Sequence, residues 1–406
     1  MPVFVTSGPI VAAIAEVLTR ARRAASPGAV ATYIPELAVA DPEQLGVAVT
    51  SVLGHCYEAG DAAAEFTIQS ISKPFVYALA IEELGLVEVR KHVGVEPSGQ
   101  PFNAISFDDA GRPANPMINV GAITATSLIP AESAAERFKR IRDALSAFAG
   151  RPLELDERVY ASEASTGDRN VALAGLARAN GVLAGRVEDA VDPYFRQCAL
   201  RVTADDLSVM AATLAGGGVN PVTGRRVVDA DAARQTLSVM ASCGMYDRSG
   251  DWILEVGLPA KSGVGGGIVA VSPGRFGIGV FSPPLDEVGN SALGVAVLKV
   301  VAHEFGLHLF NRPVTSISPV ESIETGDDAT VTLKLRGALD FVAAERIVHE
   351  AVAVLASRKP RMLALDLGSV TDADTSAVRL LSAVAEEAKE RGITIVFADP
   401  LDVLGH

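Results

Sequence analysis

The stretch Phe66-Thr67-Ile68-Gln69-Ser70-Ile71-Ser72-Lys73-Pro74 constrains this chain more than any other. Its first half is apolar and β-prone, and its second half opens a run, Ile71 to Leu84, with helical apolar spacing. A strand that turns straight into a helix is therefore expected, with Ser70 and Lys73 one turn apart on the same face. A serine hydroxyl becomes a nucleophile when an adjacent base takes its proton. A lysine is such a base only where burial or neighbouring charge lowers its pKa. The Ser70 amide, at a helix N-terminus, can also serve as one donor of an oxyanion hole. Pro74 is tolerated in the first turn because its missing N–H would have no intrahelical partner there. The plain alternative is a helix start with Ser70 as N-cap and Lys73 in solvent.

A chain of 406 residues has room for two or three domains. Its 49% hydrophobic and 21% charged content belongs to a globular protein. A formal net charge of -14 argues against nucleic acid and anionic membrane surfaces as partners. Cys56, Cys198 and Cys243 are scattered, with no C-x-x-C, so neither a disulfide framework nor a zinc site is indicated. His303, Glu304 and His308 do not form H-E-x-x-H, and no metal site is expected. The N-terminus lacks a basic n-region, and no apolar run is long enough to cross a bilayer. A soluble protein of the cytoplasm is the expectation.

Residues 7–24 read as an amphipathic helix. Val47–Val52 reads as a strand, with a turn at Glu58-Ala59-Gly60-Asp61 and then the strand entering Ser70, which suggests an antiparallel sheet with a helix on it. From about 85 to 240 the pattern is helix and loop. Asn115-Pro116-Met117-Ile118-Asn119 runs into an apolar helix, and Tyr160–Asn170 reads as a polar loop feeding a helix that ends at Gly181. Both also fit ordinary helix-start chemistry. From 240 the pattern returns to strands, through Met245-Tyr246-Asp247, Trp252-Ile253 and the glycine-rich Lys261–Val271, and then Arg275–Phe281. The glycine run joins a strand to a strand, so it is neither a dinucleotide fingerprint nor a P-loop. It lets a ligand or another backbone come close. Residues 287–309 read as a final helix.

Residues 313–329 are rich in Pro, Ser, Thr, Asp and Gly and read as a linker. Beyond it, strands (from Val331, Met362–Leu367, Ile393–Phe397) alternate with helices (Asp340–Ala356, from Thr375), as in βαβ crossovers. The expected division is 1–312, a linker at 313–329, and 330–406.

Residues 1 to about 312 resemble the serine-dependent glutaminases, which share the fold of serine β-lactamases and penicillin-binding proteins. The resemblance rests on Tyr33-Ile34-Pro35, Gln69–Pro74, Asn115–Asn119, Ser162-Glu163 with Gly167-Asp168-Arg169-Asn170, Asp192-Pro193-Tyr194, Gly244–Asp247 and Lys261–Gly267, in that order. It implies an α/β fold, a mixed or antiparallel sheet with a helical subdomain, and hydrolysis of L-glutamine to L-glutamate and ammonia without a cofactor. By the same resemblance Ser70 is the nucleophile and Lys73 its base, with Tyr246 a proton carrier and Tyr33 close by. The N–H groups of Ser70 and Val264 would form the oxyanion hole, and Asn119, Glu163, Asn170 and Tyr194 would hold the amino-acid end. A homo-oligomer, dimer or tetramer, is also implied.

Residues 330–400 resemble a STAS domain, the fold of anti-sigma factor antagonists, through Asp366–Ala377. Thr375 and Ser376 stand at that family's hydroxyl positions and Ala377 replaces its usual glycine. The resemblance implies a small α/β domain, shortened at its end, that engages a protein partner. Two other classes remain open at this point. A β-lactamase or D,D-peptidase would share S-x-x-K and Lys261-Ser262-Gly263, and a regulator would use a dead enzyme fold.

Overall fold

The computed structural model describes residues 3–404 except 25, 27, 100–104, 312–317, 327–328, 359 and 391. The chain divides into two units, Met1–Asn311 and Arg312–His406. Strands of the first unit are β1 (Phe4–Val5), β2 (Gly46–Ser51), β3 (Cys56–Gly60), β4 (Phe66–Thr67), β5 (Arg201–Val202), β6 (Ala260–Ser262), β7 (Gly267–Ser272) and β8 (Phe276–Phe281). Six of them form one sheet in the order β1-β3-β2-β8-β7-β6, antiparallel except for the β1–β3 pair.

Alternation along the central strands explains why helices cover both faces. Val47 and Val49 of β2, Ile268 and Ala270 of β7, and Ile278 and Val280 of β8 share one core with Ile14, Val17 and Leu18 of the helix Pro9–Ala24 and with Val297 and Val301 of the helix Ala292–Glu304. Ala48, Val269, Val271 and Phe281 point the other way, onto Leu207, Met210 and Ala211 of the helix Ala204–Ala215. That helix starts on a capping box formed by Thr203 and Asp206. It lies unusually close to β8. A Cβ on Gly277 would stand 2.0 Å from the Ala212 nitrogen, and one on Gly279 would stand 2.0 Å from the Ala204 carbonyl.

Helices 35–38, 72–84, 86–92, 119–127, 134–149, 157–165, 168–179, 187–198, 230–243 and 249–255 also belong to this unit. The helix Ser72–Leu84 is apolar on every side and buried from Ser72 through Ile81, as a central helix must be.

In the second unit, β9 (Val320–Thr325), β10 (Thr330–Leu339), β11 (Met362–Ala373) and β12 (Thr394–Ala398) make a sheet in the order β12-β11-β10-β9. The β10–β11 and β11–β12 pairs are parallel and the β9–β10 pair is antiparallel. The helices Phe341–Arg358 and Thr375–Glu390 supply the two crossovers. Their apolar sides (Ala344, Ile347, Ala351; Ala377, Leu381) meet Leu333, Leu335, Leu363 and Leu365 in one core.

Several expectations are corrected. Glu58-Ala59-Gly60 is not a turn but the end of β3, and the chain reverses at 52–55, where Gly54 takes φ +86°. The strand entering Ser70 is only two residues long and pairs with β5, outside the main sheet. Tyr160–Ser165 is helical, within Glu157–Ser165, because Asp156 caps that helix by accepting from the Arg158 and Val159 N–H groups. Trp252-Ile253 lies in the helix Ser249–Glu255 rather than a strand. The final helix is shorter than expected, Ala292–Glu304, with Ser291 accepting from Gly294 N–H at its start. Residues 320–325, inside the expected linker, form β9, because Val320 and Ile323 pack against the second core. Residues 313–317 and the Ser376 side chain lie outside the described residues.

Gly277→Ala should destabilise the first unit. The new methyl would meet backbone rather than a movable side chain, and overpacking of this kind costs roughly 1–3 kcal/mol or more. Urea or thermal unfolding of the variant checks this, and an unchanged midpoint would refute the close-packing argument.

Candidate active site

The placement of Ser70 begins with β4. Its pairing with β5 is extended by Ile68 N–H, which donates to the Leu200 carbonyl at 2.8 Å. The chain then turns sharply at Gln69, whose φ is +51°, through the 3-10 turn Gln69–Ile71 and into the helix at Ser72. Ser72 rather than Ser70 secures this turn: its hydroxyl donates to the Gln69 carbonyl at 2.8 Å and accepts from Gln197 Nε2 at 3.3 Å. Ser70 makes no N-cap bond, and Lys73 is buried, 1% exposed. The plain alternative of a capping serine and a solvated lysine is thereby excluded.

Tyr33, Gln69, Ser70, Asn119, Glu163, Asn170, Tyr194 and Val264 line one cavity of about 350 Å³, together with Thr166, Gly167, Arg169 and Cys198. Val264 reaches it through the glycine-rich turn between β6 and β7. A Cβ on Gly265 there would come 2.7 Å from the Thr67 carbonyl, so glycine is what lets this turn close onto the Ser70 segment. Within the turn Gly263 N–H donates to the Gly267 carbonyl and Gly266 N–H to the Gly263 carbonyl, both at 3.0 Å. A larger cavity, about 560 Å³, lies between the sheet and the helix Pro9–Ala24. Its walls, among them Ile10, Ile14, Val49, Phe276 and Phe305, are mostly apolar, and where Ser51 and His55 meet there, Ser51 Oγ accepts from the His55 backbone N–H.

Lys73 Nζ donates to Asn119 Oδ1 at 2.7 Å and to the Met117 carbonyl at 3.4 Å. Asn119 Nδ2 in turn donates to Asn170 Oδ1 at 3.0 Å. The lysine's hydrogen bonds thus go to the asparagine side and not to Ser70, one helical turn away. Burial without a carboxylate partner pushes the Lys73 amine down to about 8.

Tyr33 is half exposed, yet its hydroxyl donates to Glu163 Oε1 at 2.6 Å. Burial raises the Glu163 pKa, and hydrogen bonds from Tyr33 and Gln69 work against that rise. Burial raises Tyr194 and Tyr33 further above the usual phenol range, with the Glu163 charge adding to the effect. Tyr246 does not line this cavity but hydrogen-bonds with Ser70. Burial raises its pKa, while hydrogen bonding with Ser262 and Ser70 opposes the rise. Its φ is +58°, and its hydroxyl donates to the Ser262 carbonyl at 3.4 Å. Among the described residues of the first unit, Gln69 and Tyr246 are the non-glycine residues with positive φ, and both adjoin Ser70.

Sequence reasoning did not single out Gln69, Cys198, Lys261 or Asn290. Gln69 and Lys261 stood inside quoted motifs, and only the folded backbone shows the strain of one and the burial of the other. Cys198 lines the cavity with its thiol pushed up to about 12 by burial and the Glu163 charge. It carried no spacing signal. Asn290 accepts from Ser262 Oγ at 2.5 Å and is distant in sequence from every motif. Among the described residues no cluster of metal-ligating side chains occurs, and no helix is long and apolar enough to cross a membrane.

Residues 28–310 match the family model for glutaminase, and residues 324–404 match the model described as Mlab, STAS domain. Glutaminase 1 of Bradyrhizobium diazoefficiens is 44% identical over 91% of this chain, which spans 63% of that relative's length. The glutaminase of Corynebacterium glutamicum is 44% identical over 98% of this chain and 95% of its own. A crystal structure of Mglu in its tris and glutamate form superposes with a TM-score of 0.90 at 36% identity, covering 98% of this chain and 99% of that one. The fold is that of the serine β-lactamase-like enzymes followed by a STAS module, and the chain belongs to the glutaminase family.

Proposed function

We propose that the protein hydrolyses L-glutamine to L-glutamate and ammonia through a glutamyl-enzyme formed on Ser70. The observation that carries the reading is the buried Lys73 amine, depressed to about 8, one turn from a serine that opens onto a cavity with a single buried carboxylate, Glu163. Ser70 Oγ attacks the side-chain amide carbon while Lys73 Nζ takes its proton. The tetrahedral oxyanion is held by the Ser70 and Val264 N–H groups, the second of which lies outside the hydrogen bonds of its own turn. Tyr246 delivers a proton to the leaving nitrogen and is reprotonated by the Lys73 ammonium, so ammonia departs with both groups reset. Water then attacks the ester and gives a proton to Lys73, which returns it to Ser70 Oγ as glutamate leaves. At the amino-acid end, Glu163 receives the ammonium, while Asn119, Asn170, Tyr194 and Tyr33 offer amide and hydroxyl groups to the α-carboxylate and its surroundings. The glutamate form of Mglu supports an amino-acid ligand in this fold. Glu163 favours a ligand with a free amine over a β-lactam, which has none to offer at that position.

The test is ammonia release from glutamine by the full chain and by Ser70→Ala. The variant should lose on the order of 10⁴-fold or more in kcat. Hydrolysis of a chromogenic cephalosporin without ammonia release from glutamine would overturn the reading in favour of a β-lactamase.

Lys73 must be unprotonated to act. Because its amine lies near 8 in the folded protein rather than at 10.5, kcat/KM should rise with pH through a limb close to 8 and flatten above it. A pH–rate profile checks this, and an acid limb above 10 would show that burial does not tune this amine.

Glu163→Gln should weaken glutamine by roughly 2–5 kcal/mol, because the substrate's ammonium would be left without its charged partner. N-acetylglutamine, which has no ammonium, should distinguish poorly between wild type and variant. Equal losses on both substrates would remove Glu163 from this role.

Every residue in this mechanism precedes Gly265, in the unit Met1–Asn311. The second unit is accordingly a docking or regulatory module for a protein partner. In it Asp374, not Thr375, caps the helix Thr375–Glu390, accepting from Ala377 N–H at 2.7 Å. A fragment ending at Asn311 should fold and retain turnover, as measured by a melting curve and ammonia release. An inactive or insoluble fragment would mean that the second unit completes the catalytic one.

A further inference from the structure

Lys261 is a second fully buried lysine, 0% exposed, and the mechanism above gives it no task. It lies on β6, at the start of the glycine-rich turn, and forms no ion pair among the described residues. Its ammonium donates to the Ser262 carbonyl at 2.7 Å. It also stands 4.0 Å from the centroid of the Tyr246 ring, on the ring face. The Tyr246 hydroxyl reaches the same Ser262 carbonyl at 3.4 Å, so lysine and tyrosine converge on one acceptor. That acceptor belongs to a residue itself anchored by Ser262 Oγ donating to Asn290 Oδ1, with Asn290 3% exposed.

Tyr246 needs such a hold. Its φ of +58° is uncommon for a bulky residue and has a conformational cost that surrounding contacts must offset. An N–H group packed on a buried aromatic face is attractive, and a cation there more so. We propose that Lys261 is a positioning residue for Tyr246: its amine, fixed on the Ser262 carbonyl and against the ring face, keeps Tyr246 in its left-handed conformation with the hydroxyl beside Ser70. Burial and the neighbouring Lys73 charge both press the Lys261 amine toward the neutral form, whose N–H groups still donate to the carbonyl. The inference rests on the reading of Tyr246 as the proton carrier.

A double-mutant cycle in the full chain tests it, with kcat and KM for glutamine measured separately. Lys261→Met removes the donor and the cation while keeping the unbranched apolar stem. It should lower kcat by roughly 100-fold, the lower range for a displaced acid–base group, with KM changed less than about threefold. In a Tyr246→Phe background the same substitution should change kcat by less than about threefold, because the hydroxyl it positions is gone. Equal fold-losses in both backgrounds, or a KM effect with kcat intact, would overturn the proposal. Lys261→Arg covers the case in which the methionine variant does not fold. It keeps donor and cation, so it should remain closer to wild type in kcat than Ser262→Ala/Asn290→Ala, which loosens the shared anchor; the reverse order would overturn the proposal. An unchanged kcat in Tyr246→Phe alone would strike at the proton-carrier reading instead, and is distinguished by that single variant.

Discussion

Two amines buried without a carboxylate set the terms for everything around Ser70. Ion-paired burial would have kept Lys73 charged, whereas burial beside amide and carbonyl oxygens lowers its pKa. The fold pays for this with a helix that is apolar on every side, since only a central helix can take Lys73 so far from water. Asn119 then serves as a neutral acceptor where an aspartate would have undone the effect. Lys261 is buried in the same way, with the carbonyl of Ser262 as its acceptor.

Such a centre needs a rigid frame, and the frame can be followed from strand to serine. Glycines on β8 let the helix Ala204–Ala215 lie against the sheet, and that helix follows β5 directly. β5 pairs with β4, and β4 leads into the strained Gln69. Close approach repeats at the glycine turn, which rests on the same Thr67 carbonyl region. The two left-handed residues beside Ser70 are held between these elements, and neither would keep its conformation in an isolated segment.

Much of this was legible in the sequence because it was written locally. The β-prone runs Val47–Val52 and Arg275–Phe281 marked strands, the helical spacing after Ile71 marked the central helix, and strands alternating with helices after residue 330 marked the second unit. The motif residues that meet at the cavity were also named there, from Tyr33 to Val264. What escaped depended on partners distant in the chain. The turn expected at Glu58–Asp61 is a strand end because Gly60 pairs with Gly46, and β9 exists because β10 offers it an edge. Tyr160–Ser165 carries loop-like serines that the Asp156 cap turns into helix. The burial of Lys261 and its tie through Ser262 to Asn290, 28 residues further on, leave no spacing to read.

The short hydrogen bond from Tyr33 to Glu163 has a consequence for how ligands are told apart. The carboxylate is already satisfied by an internal hydroxyl, so ligand entry there is an exchange in which one donor displaces or joins another. A molecule bringing only a hydroxyl offers Glu163 nothing that Tyr33 does not supply, and gains little for losing its own water. A molecule bringing positive charge offers what no phenol can. On the role proposed for Glu163, the tyrosine is an internal competitor, and discrimination follows the difference between the two donors rather than the strength of either.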